Sequence, residues 1–322
     1  MPSIKDVAKQ ANVSIATVSR VLNNSKSVNE ETKKLVIDAI SLLGYKHHNY
    51  DQQSLKNKIT IIGLIVPLIS TYYYKELIES MERAAVNDNF KLMIFNSEEM
   101  NKSTEEFLNM FKVYGIKGLI CAVDSKIIDK FISLNIPLVT IDHVYNNSIP
   151  SVTSDNYQGG KLAAQKLLSL NIKNIIHIKS SSQLFTHESR TLGFKNELTK
   201  NNVLLNTLNL KSKTPDLTQI EEFIKTFSNV EGIFCSNDLI AISVINVLSK
   251  INKEIPKDVN IIGYNNIHYC EISSPTLTTI ALPFELMSLK ALKNLKLVIN
   301  NQTLENIHEI LPVTLIERES TK

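Results

Sequence analysis

At 322 residues the chain is long enough for about two domains with their own cores, which excludes a peptide-sized or disulfide-stapled scaffold. Its 43% hydrophobic and 21% charged residues, with 9 Gly and 9 Pro, are globular rather than disordered or low-complexity composition. The net charge of +3 is divided unevenly: residues 1–60 hold nine basic and five acidic side chains and the remainder 26 and 27, so a small basic head precedes a near-neutral body, as expected when one end meets a polyanion.

Residues 1–14 are amphipathic without an apolar core, and the most apolar run, residues 59–69, is broken by Gly63 and Pro67. Neither secretion nor membrane insertion is therefore expected. Cys121, Cys235 and Cys270 lack metal-ligand spacing and read as reduced thiols in a cytoplasm.

In the head, Ser3 is placed to cap a helix over residues 4–10, with Val7, Ala8 and Ala11 at core spacing. After the tight connection Ala11-Asn12-Val13, Ser14 caps a second helix whose Val18, Val21 and Leu22 share one face, so that Ile15, Ala16, Thr17, Ser19 and Arg20 point outward. A third helix starts at Asn29, carries Glu30 and Glu31 in its first turn, buries Val36, Ala39, Ile40 and Leu43, and stops at Gly44. Two helices joined by so short a turn, the second exposing small polar groups and an arginine, suit insertion into the DNA major groove.

The run Ile4-Lys-Asp-Val-Ala-Lys-Gln-Ala-Asn-Val-Ser-Ile-Ala-Thr-Val-Ser-Arg-Val-Leu-Asn, with Val28-Asn-Glu-Glu-Thr and Leu43-Gly-Tyr, resembles the DNA-binding head of lactose-repressor (LacI/GalR) family regulators. The resemblance implies base-reading roles for Ile15, Ala16 and Arg20 and phosphate contacts for Thr17, Ser19 and Asn23. Arg20 can grip guanine O6 and N7 as a bidentate pair, whereas Ile15 and Ala16 offer only apolar contact, for instance to thymine methyls. The chain has four arginines, Arg20, Arg83, Arg190 and Arg318, against 31 lysines, so an arginine marks a need for fork geometry.

Residues 46–58 are too hydrophilic to build a core and read as a linker. The resemblance implies a hinge helix that folds on DNA, pairs with its dimer mate and pushes a leucine into the minor groove. Here His47 or His48 stands where the family has proline, and Gln52-Gln53 where it has Ala-Arg. A gapless alignment from Gly44 puts Ser54 at the leucine position; Leu55 takes it with a shift of one residue.

From residue 59 onward, apolar strand-like runs alternate with amphipathic helices: strands are expected over 59–66, 91–96, 118–122, 138–142, 175–179, 204–210, 232–236 and 259–263. That count suits two lobes better than one open sheet. The segments Ile62-Gly-Leu-Ile-Val-Pro, Ser154-Asp-Asn, Arg190-Thr-Leu-Gly-Phe, Ser236-Asn-Asp, Ile262-Gly-Tyr, Ser274-Pro-Thr-Leu-Thr-Thr and Leu311-Pro-Val-Thr-Leu-Ile-Glu-Arg-Glu-Ser continue the family resemblance, whose body is similar to periplasmic sugar-binding proteins. It implies three crossings between lobes, near residues 151–155, 278–283 and 311–316.

Ligands of open α/β sheets lie beyond the C-terminal ends of strands. The residues there, Tyr73, Tyr74, Asp142, Asp155, Asn237 and Asn265, combine aromatic faces with groups for hydroxyls and carbonyls, as a small polar ring requires. Arg190 matches the family's ligand-gripping arginine, and Asn265 stands where the family more often has Asp. Catalytic readings fail: there is no G-x-S-x-G elbow and no G-x-G-x-x-G after a strand, Gly159-Gly-Lys161 reads as a helix start rather than a phosphate loop, and the seven His show no metal-site spacing.

The expected architecture is therefore α/β: a three-helix helix-turn-helix head with hinge over 1–58 (hinge about 46–58), and a periplasmic-binding-protein-like, two-lobed, doubly wound body over 59–322. The expected protein is a cytoplasmic homodimer, a sequence-specific DNA-binding transcriptional regulator that acts as a repressor, and no enzyme, without cofactor or metal. Its expected partners are a pseudo-palindromic double-stranded operator and a small sugar-like effector. The alternative is a sugar-sensing binding protein with little specific DNA binding.

Overall fold

The computed structural model describes residues 2–22, 28–45, 60–67, 69, 71–97, 104–123, 127–180, 185–212, 214–227 and 229–322. The chain divides into two compact units, residues 1–60 and 61–322.

The first unit holds helices α1 (Ile4–Gln10), α2 (Ile15–Leu22) and α3 (Glu30–Leu43). Each begins where a side chain replaces missing helical partners. The Ser3 backbone N–H and Oγ both donate to the Asp6 carboxylate at 2.7 Å. Ser14 Oγ accepts from the Thr17 N–H at 3.0 Å, and Asn29 Oδ1 from the Thr32 N–H at 2.8 Å. Asn12, at φ 51°, makes the left-handed turn between α1 and α2, and Gly44, at φ 61°, ends α3. Val7, Val18 and Val36 are fully buried, each worth about 1.5 to 3 kcal/mol, a large share of the stability of so small a unit. Ile40 and Leu43 pack against this core only partly buried, at its edge.

The second unit contains two six-stranded sheets. The first is built from β1 (Thr60–Val66), β2 (Phe90–Asn96), β3 (Leu119–Cys121), β4 (Leu138–Ile141), β5 (Ser151–Ser154) and β11 (His308–Leu311), in the order β11-β5-β4-β3-β1-β2. The second takes β6 (Ile175–Lys179), β7 (Asn206–Asn209), β8 (Gly232–Cys235), β9 (Asn260–Asn265), β10 (Thr278–Ala281) and β12 (Thr314–Ile316), in the order β12-β10-β9-β8-β6-β7. The recorded pairs run parallel except β12, which lies antiparallel on β10. Central strands such as β3, β4 and β8 are buried along their whole length, because helices cover both faces of a parallel sheet. The helices are α4 (Tyr72–Asn87), α5 (Thr104–Tyr114), α6 (Ile127–Ser133), α7 (Asn156–Ser169), α8 (Phe185–Lys200), α9 (Leu217–Lys225), α10 (Asp238–Lys250), α11 (Tyr269–Ile272) and α12 (Phe284–Ile299).

Two lobes of a periplasmic-binding-protein-like body result, as the alternation of elements predicts. The chain passes between sheets at residue 155 and over 282–283 and 312–313, inside the three expected stretches. Most residues of those stretches are themselves strands, a correction to the strand list: β5, β10 and β12 set Ser and Thr beside only one or two apolar residues, and β11, also outside the expected strands, has two. They lack an apolar run because ladder partners rather than local pattern hold them. The strand expected over 204–210 shortens to β7, since Leu204 is 88% exposed and leads in as loop.

Candidate functional site

On the first unit, α2 turns Ile15 (45% exposed), Ala16 and Arg20 to solvent, opposite the buried Val18, Val21 and Leu22. The Thr17 hydroxyl lies 2.8 Å from Ser14 Oγ at the helix start, and Ser19 is half-buried. Lys5, Lys9 and Lys34 are exposed, and Lys33 pairs with Glu30 at 3.6 Å. Asn23, Leu55 and the hinge over 46–58 lie outside the described residues.

In the second unit a site forms around one buried guanidinium, and glycines position it. The helices α7 and α8 cross with their backbones in contact: a Cβ on Gly160 would fall 2.0 Å from the Arg190 carbonyl oxygen, and one on Gly193 2.0 Å from that of Tyr157. The Gly159-Gly160 pair thus opens a helix, as expected, and its lack of side chains lets Arg190 approach. Arg190 is 1% exposed. Its Nε donates to Asn156 Oδ1 at 2.6 Å, its Nη1 to the Ser236 carbonyl at 3.0 Å, and its guanidinium carbon lies 3.9 Å from the centre of the Tyr264 ring. These two bonds use two of the five N–H donors.

Tyr73, Tyr74, Asp142 and Tyr264 lie within the electrostatic reach of Arg190 or of one another. Burial raises the Asp142 carboxyl above the ordinary carboxylate range, while the positive charge of Arg190 pulls it back down. Burial, then the Asp142 carboxylate, raise the Tyr73 and Tyr74 hydroxyls. Burial also raises Tyr264, whose neighbours include Asp142 and Asp155. The Tyr73 hydroxyl interacts with the Asp142 carboxyl and the Tyr264 hydroxyl with Arg190, all with oxygens shut from solvent; Asn265 Oδ1, at the end of β9, is buried without a hydrogen-bond partner among the described residues. Buried hydroxyl and carboxyl groups gathered around an arginine with N–H donors unspent are suited to a ligand rich in hydroxyls. The Tyr73 ring sits edge-on to Tyr74 (4.9 Å) and Phe284 (5.3 Å).

Asp155 and Asn237 both work as helix caps. Asp155 Oδ1 accepts from the Gln158 N–H at the start of α7, and Asn237 Oδ1 from the Ile240 N–H at the start of α10, each at 2.9 Å. Asn156, Ser236 and Tyr264, which hold Arg190, were not singled out, although each sits in or beside a quoted segment (Ser154-Asp-Asn, Ser236-Asn-Asp, Ile262-Gly-Tyr). Tyr72, first of the tyrosine run, meets Tyr269 of the other lobe at 4.6 Å.

Beneath the site His177 is fully buried, both ring nitrogens are unpartnered, and the ring stacks on Phe234 at 5.0 Å. Burial, with help from Lys179, pushes its pKa down to about 3. Because the folded value lies below the unfolded value of about 6.5, the unfolded chain takes the proton more readily. Stability is therefore full above pH 6.5 and falls as the pH drops toward 3, by about 2 kcal/mol for this residue at pH 5. Urea denaturation at pH 7 and pH 5 checks this: His177→Leu should flatten the dependence by that amount, and an unchanged slope would assign the acid sensitivity elsewhere.

Together, a three-helix head with an exposed recognition face and a two-lobed body with a buried ligand-type site define a DNA-binding regulator of the periplasmic-binding-protein-like class. The description "Bacterial regulatory proteins, lacI family" matches residues 3–48, and "Periplasmic binding protein-like domain" residues 164–321. The chain is 32% identical over 325 residues to the ribose operon repressor of Bacillus subtilis (strain 168), covering 100% of this chain and 99% of that protein. A LacI family transcriptional regulator from Enterococcus faecium with bound ribose is 27% identical with a TM-score of 0.72, over 81% of this chain and 98% of that one. The lac repressor dimer bound to operator and an anti-inducer shares the fold, at 20% identity and a TM-score of 0.76 over 99% of each chain. The chain belongs to the LacI family of bacterial regulatory proteins; it is a transcriptional regulator and not an enzyme. Among the described residues, no helix is long and apolar enough to cross a membrane.

Proposed function

We propose that the chain is a cytoplasmic, homodimeric repressor whose hold on a pseudo-palindromic operator is set by a small sugar bound between the lobes of its body. The carrying observation is the buried Arg190, fixed by Asn156 and Ser236 with donors to spare, beside the Tyr73, Asp142 and Tyr264 oxygens, which are shut from solvent. In this reading residues 1–58 are the DNA-binding head with its hinge and residues 59–322 the effector-binding and dimerising body. Arg190, Asp142, Tyr73, Tyr74 and Asn265 contact the sugar directly, and Asp155 and Asn237 frame it from the helix starts. Ile15, Ala16 and Arg20 read bases, Thr17, Ser19 and Asn23 hold phosphates, and Leu55 is the minor-groove wedge. The ribose of the relatives makes D-ribose the first effector to test.

The test is fluorescence anisotropy on an operator selected from random duplexes, with and without a panel of sugars, beside calorimetry of the same sugars. An effector shifts operator affinity only by its preference between two arrangements of the protein, typically about 1 to 3 kcal/mol. No heat and no shift with any sugar would overturn the effector reading.

Arg20→Ala is expected to weaken specific binding by about 1 to 3 kcal/mol and relax one base preference, while Lys5→Ala or Lys33→Ala lowers the salt slope by about 1. Equal losses on specific and random DNA would mean that Arg20 contacts phosphate only. A head this small buries too little surface for tight specific binding alone, so sedimentation at micromolar protein is expected to give a dimer. A monomer there would contradict the two-half-site reading.

A further inference from the structure

Two of the four arginines remain without a role. Arg83 meets Glu285 at 3.4 Å with both side chains largely in solvent, a weak surface pair. Arg318, just beyond β12, is different: its side chain is 14% exposed, and besides a 3.4 Å ion pair with the exposed Glu271 its fork reaches into the lobe. Nη1 donates to the Leu277 carbonyl and Nη2 to Asn266 Oδ1, both at 2.9 Å, and the Arg318 backbone N–H donates to Thr278 Oγ1 at 2.8 Å. A lysine could not serve both acceptors in that geometry.

The acceptor on Asn266 belongs to an unusual turn. Asn266, at φ 57°, takes the left-handed conformation that asparagine adopts readily, whereas Asn265, at φ 110°, lies outside that well in a region L residues rarely hold. The other flank is restrained too. Asp238, fully buried in the first turn of α10, accepts from the Ile267 N–H at 2.9 Å and from the Thr279 hydroxyl, and Thr279 Oγ1 accepts from the Asn266 N–H at 3.4 Å. The turn over 265–267 is thus fastened to α10 on one side and to Arg318 on the other. Both fastenings engage residues 277–279, at the start of the strand that leads into the crossing at 282–283.

We propose that Arg318 is a positioning residue of the effector site: through Asn266 it holds Asn265, with its open Oδ1, in place and ties that turn to the strands entering the second crossing and leaving the third. The proposal rests on the reading of Asn265 as an effector contact.

The experiment uses the full chain with Arg318→Met and Asn266→Gly. The glycine removes the acceptor but accepts the left-handed backbone without strain, so it decides the question alone if the arginine variant fails to fold. In effector-free protein, amide exchange of peptides spanning residues 264–268 is expected to accelerate on the order of tenfold in both variants, with β6 and β8 unchanged. D-ribose affinity by calorimetry should fall about tenfold in Arg318→Met, and Arg318→Met with Asn265→Ala should bind no more weakly than Asn265→Ala alone. A residue serving stability only would leave the D-ribose affinity of folded Arg318→Met at the wild-type value, which would overturn the proposal. Unchanged exchange over 264–268, or additive losses in the double variant, would overturn the proposal. If the wild type gives no heat with D-ribose, the choice of effector fails, while the exchange measurement still decides for or against the fastening.

Discussion

Arg190→Ala is expected to abolish the response to effector while leaving operator affinity without effector close to wild type. The guanidinium makes two hydrogen bonds from a charged donor, to Asn156 and Ser236, and lies over Tyr264. Its removal leaves the Asn156 and Ser236 oxygens without that partner inside the protein, a loss of about 3 to 6 kcal/mol of body stability given about 1.5 to 3 kcal/mol per such bond. A further charge-assisted bond to a sugar hydroxyl, lost in the variant, weakens the effector by up to about a hundredfold. Arg190→Lys keeps the charge but not the fork, and is expected to keep more stability than binding. Calorimetry with D-ribose and anisotropy on the operator, both well below the variant's melting temperature, check the result. A full effector response from Arg190→Ala would remove the arginine from the site.

Gly160→Ala is expected to destabilise the body by at least about 3 kcal/mol, a drop in Tm of roughly 6 °C or more. In an ordinary helix interior the same change stabilises by about 1 kcal/mol, so the sign itself is diagnostic. Here the new methyl carbon would stand 2.0 Å from the Arg190 carbonyl oxygen. That neighbour is backbone, and no rotamer change relieves the contact. The helices α7 and α8 must separate, which shifts Arg190 away from Asn156 and weakens effector binding as well. Thermal melts and sugar titration of the variant test both effects, and an unchanged Tm would show that the crossing has slack.

The head was legible to within a residue because its signals are local. Ser3, Ser14 and Asn29 act within one helical turn of themselves, and the 3.6-residue spacing of Val7, Val18 and Val36 with their neighbours already marks the buried faces. The same holds for the long apolar strands of the body. It fails for β5, β10, β11 and β12, short strands without an apolar run, whose identity comes from the ladder beside them.

The site divides in the same way. Sequence alone determined which residues stand at strand ends and that Arg190 and Arg318 are exceptional in a lysine-rich chain. Only the tertiary structure decided what they do: Arg190 reaches Asn156 across 34 residues and Arg318 reaches Asn266 across 52. Asp155 and Asn237, by contrast, cap their own helices through the N–H groups three residues on, a local contact of the same kind as in the head. The reason is one of range, since propensity and periodicity act over a turn or a pleat, whereas a buried guanidinium is satisfied only by whatever distant groups the packed sheets and helices bring to it.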